Sequence, residues 1–329
     1  MKFFKYLLIG IFLISLNIRA QRLVKTINSG WEFQLENSEN PEIVNIPHIW
    51  NAEDAFNDGD YFRGKGNYKK QIFIPENWKN KSVFLKFEGA NQQTRVFVNE
   101  SLAGKHTGGY TSFIFDLSKY LKFGSSNEIR IEVDNAHNTD IPPLEADFNF
   151  YGGIYRDLEL ITTGKSHFQL EGETAGNLPI KTPEVNAKLA EVIFEGKMVN
   201  FKDQLKLQIS ITDPSGKKVS DYKEPLRSQK FSVNFNIENP RLWSPEKPNL
   251  YHLKADLIDS ASGDILDSYT SNFGCRWFKT DPEKGFFLNG EPIKLIGANR
   301  HQDFENMGNA VSNAIHRKDR LSNDQRYGG

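Results

Sequence analysis

Cysteine is almost missing: Cys275 is the only one in 329 residues. A chain with a single thiol cannot close an internal disulfide, so its stability must come from packed cores. Nothing near Cys275 supplies the electropositive setting of a reactive thiol, which predicts an inert, buried side chain. Charge excess is missing too. Forty-one Lys and Arg stand against 42 Asp and Glu, for a formal net charge of −1. That balance leaves no basic surface to draw nucleic acid and no acidic tail. Beyond the N-terminus no segment is apolar enough to cross a membrane. Long stretches with helical spacing of apolar residues are also lacking over residues 21–163.

The one long apolar run is a targeting signal. Lys2 and Lys5 precede an apolar stretch at 6–18, broken only by Ser15 and Asn17. Ile18-Arg19-Ala20 then offers a small residue for cleavage, making Gln21 the new terminus. The stretch is short for a bilayer span, which takes about 20 apolar residues. We read residues 1–20 as a signal peptide and the product as exported, periplasmic or secreted. No Cys follows the run, so a lipid anchor is not expected, nor is membrane attachment after cleavage.

Downstream of the cleavage point the chain reads as strands and turns. KKQIFIP (69–75), SVFLKF (82–87), TRVFV (94–98) and EIRIEV (128–133) partly alternate apolar with polar residues, which puts one face on a core. Close spacing of such strands over 21–163 predicts a β-sandwich of the jelly-roll kind. A polar, Gly- and Thr-containing link at 164–183 leads into a second β region. There LKLQISIT (205–212), a turn at Asp213-Pro214-Ser215-Gly216, FSVNFNI (231–237) and a hairpin around Ser262-Gly263 fit an immunoglobulin-like sandwich over 164–275. From 276, Leu288-Asn289-Gly290-Glu291 reads as a tight hairpin turn. Residues 293–298 read as a buried parallel strand and 309–319 as the start of a helix. A strand and a helix make one unit of an α/β barrel, and one unit cannot bury itself. Residues after about Gly308 are therefore expected to be poorly folded, and the exposed strand to promote association.

Four blocks, in order, carry a family resemblance: VNIPHIWNAEDA with YFRGKGNYKKQIFIP (44–75), FEGANQQTRVFVNESLAGKHTGGYTSFIFDLSKYL (87–121), ADFNFYGGIYRDLELI (146–161), and PRLWSPEKPNLYHL (240–253) followed by FGCRWF and LNGEPIKLIGANRHQD. Together they resemble glycoside hydrolase family two, and the IPH-x-W and NRHQD forms resemble its β-galactosidase branch. The resemblance implies a jelly roll, an immunoglobulin-like sandwich and a (β/α)8 barrel, of which 276–319 would be the start. It implies retaining hydrolysis of terminal β-D-galactosides by two glutamates. Both would sit after later barrel strands, so neither Glu291 nor Glu305 is a candidate and no catalytic residue is assigned.

The sugar contacts implied by the resemblance are Asp147, Asn299, Arg300 and His301. Asp147 is also implied as a contact for a monovalent cation. Hydrolysis requires no cofactor, and the intact parent leaves room for Na or Mg. The partner implied is a β-galactoside oligosaccharide or polysaccharide, and the intact parent could be an oligomer. Arg156 and Asp157 are expected to form a structural ion pair, and His316 to lie on the solvated side of a helix. Trp31, Trp50, Trp78 and Trp243 are expected in cores. Ile49 departs from the family, which commonly has Asp or Asn there to frame the sugar pocket. Three other readings stay open: a non-catalytic carbohydrate-binding β-sandwich fragment, a non-functional fragment that folds poorly, and a β-glucuronidase or β-mannosidase parent. The tail RLSNDQRYGG (320–329) has no apolar periodicity. Permitted codons reread one base later give Asp-Tyr-Gln-Met-Ile-Lys-Asp-Met, a helix like the family's, so the tail is expected to be out of frame after Asp319.

Overall fold

The computed structural model describes residues 22–54, 62–146, 148–172, 174–297 and 300–319. The signal segment, Asp147, Asn299 and the tail from 320 lie outside the described residues.

The first sandwich has two main sheets. One orders β1 (Leu23–Thr26), β12 (Leu158–Gly164), β6 (Lys81–Phe87) and β9 (Phe113–Asp116). The other orders β3 (Glu42–Val44), β2 (Trp31–Leu35), β5 (Lys65–Ile74), β10 (Ser125–Asp134), β7 (Gln93–Val98) and β8 (Ser101–Thr107). All pairings within these two sheets are antiparallel, and β1 pairs with the late strand β12, as a jelly roll requires. Alternation sends Tyr68, Val96, Val98, Ile129, Ile131 and Val133 inward against Trp31, Leu85, Phe87 and Leu158. Strand β6 does not alternate: Val83, Phe84 and Leu85 are all buried. The reason is the connection after β12. Its Leu170 and Ala175 cover the outer side of the sheet, against Phe84, Ile114 and Ile161. The polar link of the sequence reading is thus in part a packed layer, with Ser166, His167 and Phe168 buried.

The second sandwich faces β13 (His167–Phe168), β14 (Ile180–Lys181), β15 (Leu189–Val199) and β18 (Lys230–Glu238) against β17 (Lys218–Pro225), β16 (Leu205–Thr212), β19 (Tyr251–Asp259) and β20 (Ile265–Phe273). Strand β16 alternates without a break, its Leu205, Leu207, Ile209 and Ile211 inside. The Asp213 carboxylate accepts from the Ser215 and Lys217 amides and closes the β16–β17 turn. Cys275 is buried in this core, and burial pushes its thiol up to about 11, so it stays protonated and inert.

A three-stranded sheet of β21 (Phe278–Asp281), β22 (Gly285–Leu288) and β23 (Glu291–Pro292) comes next. Leu288 pairs with Glu291 across Asn289 and Gly290, both at positive φ, which is the expected tight turn. Asn289 also fastens this hairpin to the second sandwich, donating to the Trp243 carbonyl and accepting from the Trp277 amide.

Residues 293–297 form no strand: Leu295 is 71% and Ile296 85% exposed. A parallel strand needs neighbours on both edges and helices on both faces, and the described residues supply none here. Residues 300–319 behave differently from the expectation. They lie against the jelly roll, with Val311 only 2% exposed, Ala310 packed on Ile49, Ala52, Tyr151 and Tyr155, and a helix over 313–319. Gly308 makes the contact possible: a Cβ there would come within 2.5 Å of Ile49 Cδ1 and 2.7 Å of the Tyr151 ring.

Candidate active site

The jelly roll presents its loops at one end, and two asparagines hold them in place. Asn51 donates to the Phe150 carbonyl and accepts from the Gly152 amide, joining the IPHIWN loop to the FYGG segment. Asn91 donates to the Tyr151 carbonyl from the other side, at 2.6 Å. Short strands β4 (His48–Ile49) and β11 (Gly153–Ile154) complete the junction. Beneath it, His48 Nδ1 and the Tyr68 hydroxyl lie 2.9 Å apart.

Burial pushes the His48 imidazole down from 6.5 to about 4. The unfolded chain therefore takes up a proton that the folded chain refuses. Stability from neutral His48 is complete above about pH 6.5 and is lost as pH falls through about 4, a loss on the order of 3 kcal/mol. Burial lowers His106 and His167 as well, so their contributions have the same sign. The urea midpoint is expected to fall from pH 7 to pH 4.5, and less steeply in His48→Gln. Identical pH slopes for the two proteins would refute the assignment to His48.

Between this junction and residues 300–309 lies a cleft of about 640 Å³. Asn91, Tyr110, Phe148, Asn149, Tyr151, Tyr155 and Arg156 line the jelly-roll side; Arg300, His301, Gln302, Asp303 and Asn309 line the other. The sides are bonded to each other. Tyr151 donates its hydroxyl to Asp303, and Asn149 donates to the same carboxylate at 3.0 Å. Arg156 donates to Gln302 Oε1 at 2.7 Å and lies 3.0 Å from His316 Nε2. Arg300 pairs with Asp319 at 2.5 Å. The Asn309 Oδ1 is buried with no partner among the described residues.

Of the implied sugar contacts, Arg300 and His301 line this cleft, His301 exposed on its rim. Asp147 and Asn299 lie outside the described residues, so the cation contact implied for Asp147 has no geometry here. Two expectations change. Arg156 and Asp157 do not pair with each other: Arg156 reaches across to Gln302 and His316, while Asp157 accepts from Asn28 and Asn313. His316 is not on a solvated face but against Arg156. Ile49 is buried in the contact with Ala310 and offers nothing to a ligand. The residues that the sequence reading passed over are Asn149, Tyr151 and Asp303. They lie in the quoted blocks, but only the docked segment reveals that they meet.

Two family descriptions match the chain: "Glycosyl hydrolases family 2, sugar binding domain" over residues 20–164 and "Glycosyl hydrolases family 2" over 178–276. The chain belongs to glycosyl hydrolase family 2. Among curated members, a β-glucuronidase of Bacteroides fragilis is 36% identical, over 93% of this chain and 45% of its own length. A β-galactosidase of Thermoanaerobacter pseudethanolicus is 31% identical, over 93% of this chain and 41% of its own. The crystal structure of Bacteroides uniformis β-glucuronidase superposes with a TM-score of 0.87 at 34% identity, over 92% of this chain and 38% of that one. The chain thus spans less than half the length of these family 2 relatives.

Proposed function

We propose that this chain is the N-terminal part of an exported, retaining exo-glycosidase that removes terminal β-D-galactosyl residues from oligosaccharides or polysaccharides. The observation that carries the reading is the cleft, shared between the jelly-roll loops and the NRHQD segment. Arg156, Arg300 and Asp303 are the charged residues lining it, and Asp319, outside the lining, pairs with Arg300, a near balance that suits an uncharged sugar. In this proposal His301 offers a ring nitrogen to a glycone hydroxyl, Arg300 and Asn299 border the same sugar, and Asp147 binds a hydroxyl, through a monovalent cation where one is present. Retaining hydrolysis takes one carboxyl as acid and a second as nucleophile, about 5–5.5 Å apart. Glu291 and Glu305 are exposed beside turns and are not assigned either role.

A second reading, a β-glucuronidase, draws support from Arg156. Its described hydrogen-bond partners, Gln302 and His316, are uncharged, so its charge is free to meet a uronate carboxylate. Several relatives carry that activity in their names. The test is turnover of nitrophenyl β-galactoside and β-glucuronide. Residues 1–329 alone are expected to match a protein-free blank, since a general acid alone contributes about 10²–10⁴-fold. A polypeptide continued through the barrel is expected to cleave the galactoside with the higher kcat/KM. Preference for the glucuronide would transfer the proposal to the second reading. Turnover by residues 1–329 would overturn the missing-glutamate argument. Glycan binding by the extended protein without turnover would favour the non-catalytic alternative.

A further inference from the structure

Near the end of the YGGIYRD segment, the Arg156 guanidinium lies over the ring of its neighbour Tyr155 and spans two groups on the far side of the cleft. One nitrogen of the Arg156 guanidinium donates to Gln302 Oε1 at 2.7 Å, and the other lies 3.0 Å from His316 Nε2. Gln302 sits between His301 and Asp303, the residues facing the cleft, while His316 lies on the helix after that loop. The two acceptors are 14 residues apart and belong to different local structures, so one planar fork fixes the loop and the helix together.

We propose that Arg156 is a positioning residue: its guanidinium clamps Gln302 and His316 at once and thereby sets the placement of His301 and Asp303 across the cleft. The assignment of a role in sugar binding rests on the proposed function; the clamp itself does not.

The chemistry of the clamp constrains both partners. Arg presents a rigid fork of donors and no acceptor, and a neutral imidazole has one lone pair to give; the shorter contact, 3.0 Å from Arg156 to Nε2 against 3.4 Å from Arg300 to Nδ1, assigns it to Nε2 and leaves the Arg300 contact without a hydrogen bond. The groups facing His316 agree with a neutral ring. Arg156 approaches from the jelly roll and Arg300 from the preceding loop, with Nη2 3.4 Å from Nδ1, while Asp319 lies further along the same helix and binds Arg300. Burial and the two arginines hold the imidazole below its ordinary value, and Asp319 only partly opposes them. Lysine could keep the charge of residue 156 but cannot span both acceptors with a planar fork. Other contacts keep the helix near the jelly roll, including Asn313 on Asp157 and the buried Val311, so loss of the clamp should loosen the loop without releasing the whole segment.

The test uses the 329-residue chain. Amide hydrogen exchange is measured in the unsubstituted protein, Arg156→Lys, Arg156→Ala and Gln302→Ala, with imidazole ¹⁵N shifts recorded for His316. Exchange over residues 300–304 is expected to rise at least tenfold in all three variants, with the β5 and β16 amides unchanged. His316 is expected to show an acceptor-type Nε2 that disappears in both Arg156 variants and persists in Gln302→Ala. Arg156→Lys behaving like the unsubstituted protein would reduce the clamp to simple charge and overturn the proposal, as would a His316 protonated at Nε2. A rise in exchange across both sandwiches would show a general stability defect and would overturn it as well. None of these readouts depends on turnover, so the clamp and the glycosidase reading can fail separately.

Discussion

Asp267→Ala is expected to destabilise the protein by about 3–5 kcal/mol, the usual cost of removing one partner from a buried ion pair. Asp267 lies on β20 with no exposed surface, at the seam between the two sandwiches. Its carboxylate accepts two bonds from Arg22, at 2.9 and 2.8 Å, one from the Phe168 amide at 2.9 Å and one from the Ser268 amide at 3.0 Å. Alanine leaves a guanidinium and two amides without that acceptor, and each uncompensated buried group costs about 1–3 kcal/mol, more when charged. Asp267→Asn keeps the shape but exchanges an acceptor for a donor, so a smaller loss is expected. Urea unfolding followed by tryptophan fluorescence measures both. A loss below about 1 kcal/mol for Asp267→Ala would show that Arg22 and the amides find other partners. Arg22 is the second residue after the proposed cleavage position, so trimming the chain by two further residues should also weaken the seam.

Gly153→Ala is expected to be worse, at least about 4 kcal/mol, a size seen only when a structural requirement is violated. Gly153 has φ of +140°, where an L side chain is strained. A Cβ there would also fall 2.3 Å from the His48 carbonyl oxygen and 2.9 Å from the Ile49 Cα, both backbone atoms that cannot rotate away. The β4–β11 pairing must open, and with it the cleft wall formed by Tyr151 and Arg156. Gly263→Ala serves as the control: it too has positive φ, +78°, but no atom lies within 4 Å. It should cost only the left-handed backbone term, roughly 1–2 kcal/mol. Equal effects of the two substitutions on the urea midpoint would show that conformation alone, not the His48 contact, demands glycine at 153.

The strands were legible because alternation is a local signal. Residues 205–212 alternate in sequence and alternate in burial, and the Asp213 turn uses chemistry carried within four residues. The failures were of another kind. Residues 293–297 carry the apolar run of a buried strand, yet that run is a demand for neighbours and cannot supply them. Phe84 gave no hint that a later connection would cover it, because Leu170 and Ala175 lie about ninety residues on. At the cleft, His301 and Arg300 were readable from a motif. The bonds that Tyr151 and Asn149 make to Asp303, and Arg156 to Gln302, join residues roughly 150 positions apart.

The sequence by itself determined two β-sandwiches stabilised without disulfides, membership of a glycosidase family, and an inert thiol at Cys275. Composition, two-residue periodicity and ordered motifs are properties of short stretches of chain. Only the tertiary structure decided that residues 300–319 lie against the jelly roll, that Ile49 serves packing, and that Arg156 serves the cleft instead of pairing with Asp157. A long side chain such as arginine can reach any of several partners. Which one it takes depends on what the fold carries to within about 3 Å of it, and no local pattern encodes that distance.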